Sequence, residues 1–223
     1  AFSKIRSNGL IAISLEEGDA LTWVRSSSEG DSVLIGSSKG MTIHFRLDIN
    51  ELRPLGRTAR GVKSMNLRDG DQLVSMDVLT SELVEQLSTL NDIDINANED
   101  LEDNLPEGPW VLVVSSFGLG KRVPVTQFRL QKRAGMGLKA IKFRINNDVL
   151  VGLKVLGKGE EILLVTEKGV IVRTNADKIS QQSRAATGVK LQKLDKGDHL
   201  AEVVLVPHEQ IDDENIEQMS DKK

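Results

Sequence analysis

A spacing of about fifty residues, repeated along the chain, limits what it can fold into more than any other feature. Four segments superpose: NGLIAISLEEGDALTWV from Asn8, RGVKSMNLRDGDQLVSMDVL from Arg60, MGLKAIKFRINNDVLVGLKVL from Met136 and TGVKLQKLDKGDHLAEVVLV from Thr187. Each carries a leading glycine (Gly9, Gly61, Gly137, Gly188) and apolar residues one, four and six positions later, Gln192 being the sole polar exception. Three of the four then turn through Gly-Asp (Gly18-Asp19, Gly70-Asp71, Gly197-Asp198) into a second apolar run, the pattern of a β-hairpin. The other has Asn146-Asn147-Asp148, and Asn also tolerates a left-handed turn. Because the apolar spacing slips by one from strict alternation, the first strand of each pair is predicted to bulge or bend.

A second pair of runs recurs upstream of the last three copies. SVLIGSSKGMTIHF, WVLVVSSFGLGKRV and ILLVTEKGVIVRT place Gly40, Gly118 and Gly169 at one turn. Two hairpins give four short strands per unit, and one such sheet cannot bury both faces without stacking on its neighbours. The predicted fold is therefore all-β and propeller-like, with four-stranded blades and about three and a half of them. Residues 1–206 form one partial domain: a half blade over 1–31 and blades over 32–79, 108–157 and 158–206. Residues 80–107 read as an acidic surface insertion, with Ser81 capping a short helix, and 207–223 as an acidic tail.

Charge follows the same division. The formal net charge is -4, but residues 80–107 hold nine acidic groups and no Lys or Arg, while 207–223 hold six acidic groups against two basic. Without those pieces the balance becomes +9, so a basic body carries acidic attachments. Trp110 to Asn147 holds eight Lys or Arg and no Asp or Glu. The 39% of apolar residues can supply a core, no apolar run approaches the ~18 residues of a membrane span, and the first residues lack the apolar centre of a signal peptide. Zero Cys excludes a disulfide frame, a thiolate metal site and a Cys nucleophile, and fits a reducing compartment. With two Trp, five Phe and no Tyr there is little to stack bases on, so any nucleic-acid binding must work through phosphates.

Superposing the units brings basic columns into view. Four residues after the hairpin glycine stand His44, Arg122 and Arg173; four before the next leading glycine stand Arg57, Arg133 and Arg184; two after it stand Lys63, Lys139 and Lys190. With Arg60, Lys121, Arg129 and Lys132 in the same stretches, they form a candidate track of cations for duplex phosphates round a curved rim. Ordinary solvated surface is the competing account of each position; recurrence of the sign favours the track. Gly118-Leu119-Gly120-Lys121 lacks the spacer and the Ser/Thr of a phosphate loop, and its repeat mates make it a hairpin turn. The three His have no metal-ligand spacing, the Gly-Asp pairs are explained by turn formation, and no Ser/His/Asp arrangement can be argued.

The segments RTARGVKSMNLRDGDQLVSMDV, GLGKRVPVTQF and GVIVRTNADKISQQSRAATGVKLQKL resemble the last three blades of the C-terminal domain of DNA gyrase A subunits; the paralogous topoisomerase IV subunit is the weaker match. The resemblance covers about residues 1–206 without the insertion. It implies a β-pinwheel whose rim binds, bends and wraps double-stranded DNA, supporting negative supercoiling by an ATP-dependent holoenzyme with the remainder of gyrase A and gyrase B as partners. It also implies a bacterial, nucleoid-associated cytoplasmic protein, or an organellar one in a plant, and no catalytic residue, metal or cofactor in this chain. Two departures bear on this. The glutamine-arginine-arginine-glycine box of the family's first blade is absent from this chain, and so is any Tyr with which to cleave DNA. A propeller-type protein-interaction scaffold without DNA binding is the alternative.

Overall fold

The computed structural model describes residues 7–50, 52–83, 85 and 108–206. Nearly all of the acidic insertion and the whole acidic tail, along with the helix expected from Ser81 onward beyond its first turn, lie outside those residues. Three antiparallel sheets form from β1 (Ser32–Ser37), β2 (Met41–Arg46), β3 (Leu73–Leu79), β4 (Trp110–Ser115), β5 (Leu119–Pro124), β6 (Leu138–Lys139), β7 (Leu150–Leu156), β8 (Glu161–Thr166), β9 (Ile171–Asn175), β10 (Val189–Lys190) and β11 (Leu200–Leu205). Their orders are β3-β1-β2-β6, β10-β5-β4-β7 and β11-β8-β9. Among the described residues no helix is long and apolar enough to cross a membrane.

The first pair of strands in each unit is the expected hairpin. Gly40, Gly118 and Gly169 each donate their N–H back to the last residue of the preceding strand (Ser37, Ser115, Thr166) at 2.9–3.0 Å, with φ between +76 and +83°. Only glycine takes such values without strain.

The second pair is not a hairpin. β6 follows Gly137 in the third unit, yet it pairs with β2 of the second unit; β7, after the turn, pairs with β4 of its own unit. β10 repeats this, pairing with β5 of the third unit while β11 pairs with β8. The turns at Asn146-Asn147 and Gly197 therefore join strands of neighbouring sheets, so each four-stranded sheet is completed by the unit that follows it. The leading glycine is the point of entry. A Cβ on Gly137 would stand 2.5 Å from the Thr42 carbonyl oxygen, and one on Gly188 2.6 Å from that of Gly120. The bend expected in this strand is a full departure after two residues, and the bulge lies in the next strand. Val74, Val151 and Ala201 are each left without a partner at the start of β3, β7 and β11.

The first unit differs. Residues 8–24 match the strand pattern but form no strand and pair with none of the three sheets. Ile11 and Val24 are accordingly each 73% exposed.

Stacking explains why β1 and β4 read as unbroken apolar runs, since both faces are covered. Val111 and Val113 of β4, with Leu153 beside them on β7, face Leu34 and Leu79 of the first sheet, whereas Trp110, Leu112 and Val114 face Ile162, Leu164 and Val203 of the third. The aspartate after each turn returns to the hairpin. Asp71 accepts from Ser37 Oγ, Ser38 Oγ and Lys39 N at 2.7–2.9 Å; Asp148 accepts from Ser115 Oγ, Ser116 Oγ and Phe117 N at 2.8–3.1 Å. Burial works against the Asp71 carboxylate, but these donors outweigh it and hold its pKa below the ordinary value. These aspartates therefore brace the hairpins, a role beyond forming their own turns.

Strand exchange predicts unequal costs for one substitution. Gly61 has φ +88° with nothing within 4 Å of its Cβ position, so Gly61→Ala should cost only the left-handed backbone, about 1–2 kcal/mol. Gly137→Ala adds the clash with β2 and should cost roughly 2 kcal/mol more in urea unfolding.

Candidate nucleic-acid interface

The basic columns divide once their partners are seen. Arg122, on β5, reaches into the fourth unit: Nε donates to the Ile179 carbonyl at 2.9 Å, Nη1 to Asp177 Oδ1 at 3.0 Å and Nη2 to the Asp177 carbonyl at 3.0 Å. Its guanidinium also lies 4.5 Å from the centre of the Trp110 ring, leaving the side chain only 12% exposed. His44, in the same column, lies against the equivalent carbonyl one unit earlier. Its Nδ1 is 2.6 Å from the Phe128 carbonyl oxygen and its Nε2 2.8 Å from Ser32 Oγ. Burial lowers its pKa, the Phe128 contact opposes the shift, and Arg46 adds to it. Arg173 has no following unit among the described residues and pairs with Glu161 on the neighbouring strand. This column latches one unit to the next.

The arginines four before the leading glycine make another recurring contact. Arg57 Nη1 donates to the Ile11 carbonyl at 3.3 Å, Arg133 Nη1 to that of Lys63 at 2.6 Å and Arg184 Nη1 to that of Lys139 at 2.6 Å. Backbone bonds Ser14 N to Ala59 O, Asn66 N to Gly135 O and Lys142 N to Ala186 O tie the same three junctions at 2.9–3.3 Å. Each arginine is thus half-buried beside the residue two past the leading glycine of the preceding unit. At two junctions that residue is an exposed lysine, giving the pairs Arg133 with Lys63 and Arg184 with Lys139. Lys190 is exposed at the same repeat position. None of these three lysines makes a side-chain hydrogen bond or ion pair among the described residues, and the same is true of exposed Arg129 and Lys132. Arg60 is exposed and bonded to Glu16 at 2.9 Å.

Lys121 differs from its expected place on the rim. It is fully buried, and Nζ donates to the carbonyls of Ser183, Arg184 and Ala186 at 2.8, 2.6 and 2.7 Å. Alternation along β5 turns it to the opposite face of the strand from Arg122. Burial and then the Arg184 charge push its pKa down to about 7. Exposed Arg53 occupies a repeat position not read from the sequence. Arg53 stands eight before Gly61, as Arg129 stands eight before Gly137, and Ser180 in the last unit masks the column.

Arg122→Ala removes three hydrogen bonds and a ring contact, and should lower unfolding stability by about 2–3 kcal/mol. For Lys121 the sign follows from proton release. The unfolded chain holds this proton up to the ordinary lysine range, the folded one only to about 7, so stability rises with pH between those values. Relative to Lys121→Met, the unaltered chain should gain thermal stability as pH is raised from 7 to 9.

A family model described as DNA gyrase C-terminal domain, beta-propeller, matches residues 1–28, 31–80, 109–156 and 160–207. The DNA gyrase A protein of Synechocystis sp. is 54% identical over 213 residues, which cover 93% of this chain and 25% of that protein. The chain therefore spans about a quarter of that relative's length. A solved DNA gyrase A C-terminal domain superposes with a TM-score of 0.67 at 27% identity, covering 90% of this chain and 59% of the other. The C-terminal domain of a DNA topoisomerase IV has a TM-score of 0.73 at 22% identity, covering 92% and 56%, and shares the fold. Four matched repeats, strands exchanged between three stacked sheets and a gyrase A relative identical at more than half of the aligned positions lead to one assignment: the chain belongs to the DNA gyrase A C-terminal domain family.

Proposed function

We propose that this region is a non-catalytic module that binds and bends double-stranded DNA through its phosphates. In the whole enzyme it would help wrap DNA for negative supercoiling, acting in the bacterial cytoplasm with the rest of gyrase A and with gyrase B. One observation carries the reading. At two junctions between units, a guanidinium from one unit is bonded to the backbone carbonyl of an exposed lysine of the preceding one, and no carboxylate pairs with either side chain among the described residues. Such repeated, unneutralised pairs are what a polyanion needs, because phosphate contacts demand charge and spacing and carry no base code. The latched arginines contribute differently. Arg122 is committed to Asp177 and two carbonyls, so its part is to fix the angle between sheets and hence the curvature the duplex follows. Arg60 and Arg173 are each paired with a glutamate and stand as secondary contacts.

The exposed set of Lys63, Arg129, Lys132, Lys139 and Lys190 predicts a slope of log affinity against log salt of roughly -4 to -5 for a random-sequence duplex. Replacing Lys63, Lys139 and Lys190 together by Gln should reduce the magnitude of that slope by about 3 and weaken all sequences alike. No duplex binding at low salt, or a loss confined to one sequence, would contradict the proposal.

A further inference from the structure

The two junctions with Arg-Lys pairs use the same repeat positions: Arg53, Lys63 and Arg133 at one, Arg129, Lys139 and Arg184 at the other. They differ beneath the surface. Three residues after the hairpin glycine, where the second unit has the fully buried Ile43, the third unit has the fully buried Lys121. Its ammonium is fixed by three carbonyls of residues 183–186, the segment that carries Arg184. Arg184 is in turn held by the Lys139 carbonyl through Nη1 and by Gln127 Oε1 through its backbone N–H.

Four basic groups therefore meet at the second junction, Lys121 among them with its pKa pushed down to about 7, and none has a carboxylate partner among the described residues. Burial and then Arg129 lower the pKa of Arg184, and Arg184 adds to the effect of burial on Lys121. Such a cluster opposes folding unless an anion joins it. Lys121 is screened from solvent on all sides, so in its protonated form its field acts through protein rather than water and reaches the surface less attenuated. A planar guanidinium fork at the surface suits two oxygens of one phosphate.

We infer that the junction of Arg129, Lys139 and Arg184 over buried Lys121 is the principal phosphate anchor of the chain, taking one backbone phosphate of a duplex more tightly than the equivalent junction at Arg53, Lys63 and Arg133. This rests on the DNA-binding reading and sharpens it. The junction at Arg57 has Ile11 where the other two have lysine, so the track is strongest at its far end and fades toward the first unit.

The matched substitutions Arg129→Gln and Arg53→Gln test it, because both residues are exposed, occupy one repeat position and differ only in their junction. A fluorescent 40-base-pair duplex in about 100 mM salt is the probe. Arg129→Gln should weaken binding about tenfold and Arg53→Gln about two- to threefold. Arg129→Gln should also leave the melting temperature unchanged or raise it, since it removes a repelling charge. Lys121→Met, compared at a temperature where circular dichroism shows both proteins folded, should weaken binding although Lys121 touches no DNA. Equal losses from Arg129→Gln and Arg53→Gln would overturn the anchor while leaving the track intact. Absence of binding by the unaltered chain would instead overturn the DNA reading itself. A melting temperature lowered by Arg129→Gln would assign that residue to folding and likewise overturn the anchor.

Discussion

The structure depends on strands exchanged between units. β6 and β10 complete sheets that belong to the unit before them, so no four-stranded sheet is made by one repeat alone. Stability in such an array is a sum over neighbours, and a unit with no neighbour to receive its strands loses regular structure. Residues 8–24 have the pattern of a strand pair and the backbone of a loop. Glycine at the entry point is then a packing requirement set by the neighbour's carbonyl, as at Gly137 against Thr42. It is more than a choice of turn.

Exchange also brings charges of different units together. Two of the three junction arginines lie against the backbone of a lysine, some seventy residues earlier for Arg133 and Lys63 and forty-five for Arg184 and Lys139. A rigid interval between sheets thereby becomes a rigid interval between cations, which is what a stiff duplex requires of a surface that bends it. Two kinds of basic residue divide the work. Inward-committed groups such as Arg122 and Lys121 define the angles, and outward ones such as Lys63, Lys139 and Lys190 present the charge.

Much of this is legible in the sequence and some is not, for definite reasons. The repeat, the all-β class and the turns at Gly40, Gly118 and Gly169 can be read because apolar periodicity and glycine are local signals. Strand exchange cannot, since a strand has the same alternation whichever edge it joins, and Gly70-Asp71 reads as a hairpin whether or not its arms pair. The latches are hidden because the acceptors for Arg122 and Arg133 are mostly backbone carbonyls, which leave no mark on residue type. Lys121 does carry a mark: it is a lysine in a column otherwise occupied by Ile43 and Val172, and a cation in an apolar column points inward. Arg53 escapes notice because its column is broken in the last unit.

The central claim is that exposed lysines at the unit junctions, and not basic residues in general, meet the DNA. Lysine acetylation footprinting with and without a duplex tests it most directly, because this chain offers its own controls. Lys39 and Lys168 are exposed but sit on hairpin turns, their ammonium groups bonded to the carbonyls of Asp69 and Lys196. The account predicts that duplex protects Lys63, Lys139 and Lys190, leaves Lys39 and Lys168 as reactive as before, and finds Lys121 unreactive throughout. Protection of Lys39 and Lys168 with Lys63, Lys139 and Lys190 unchanged would contradict it.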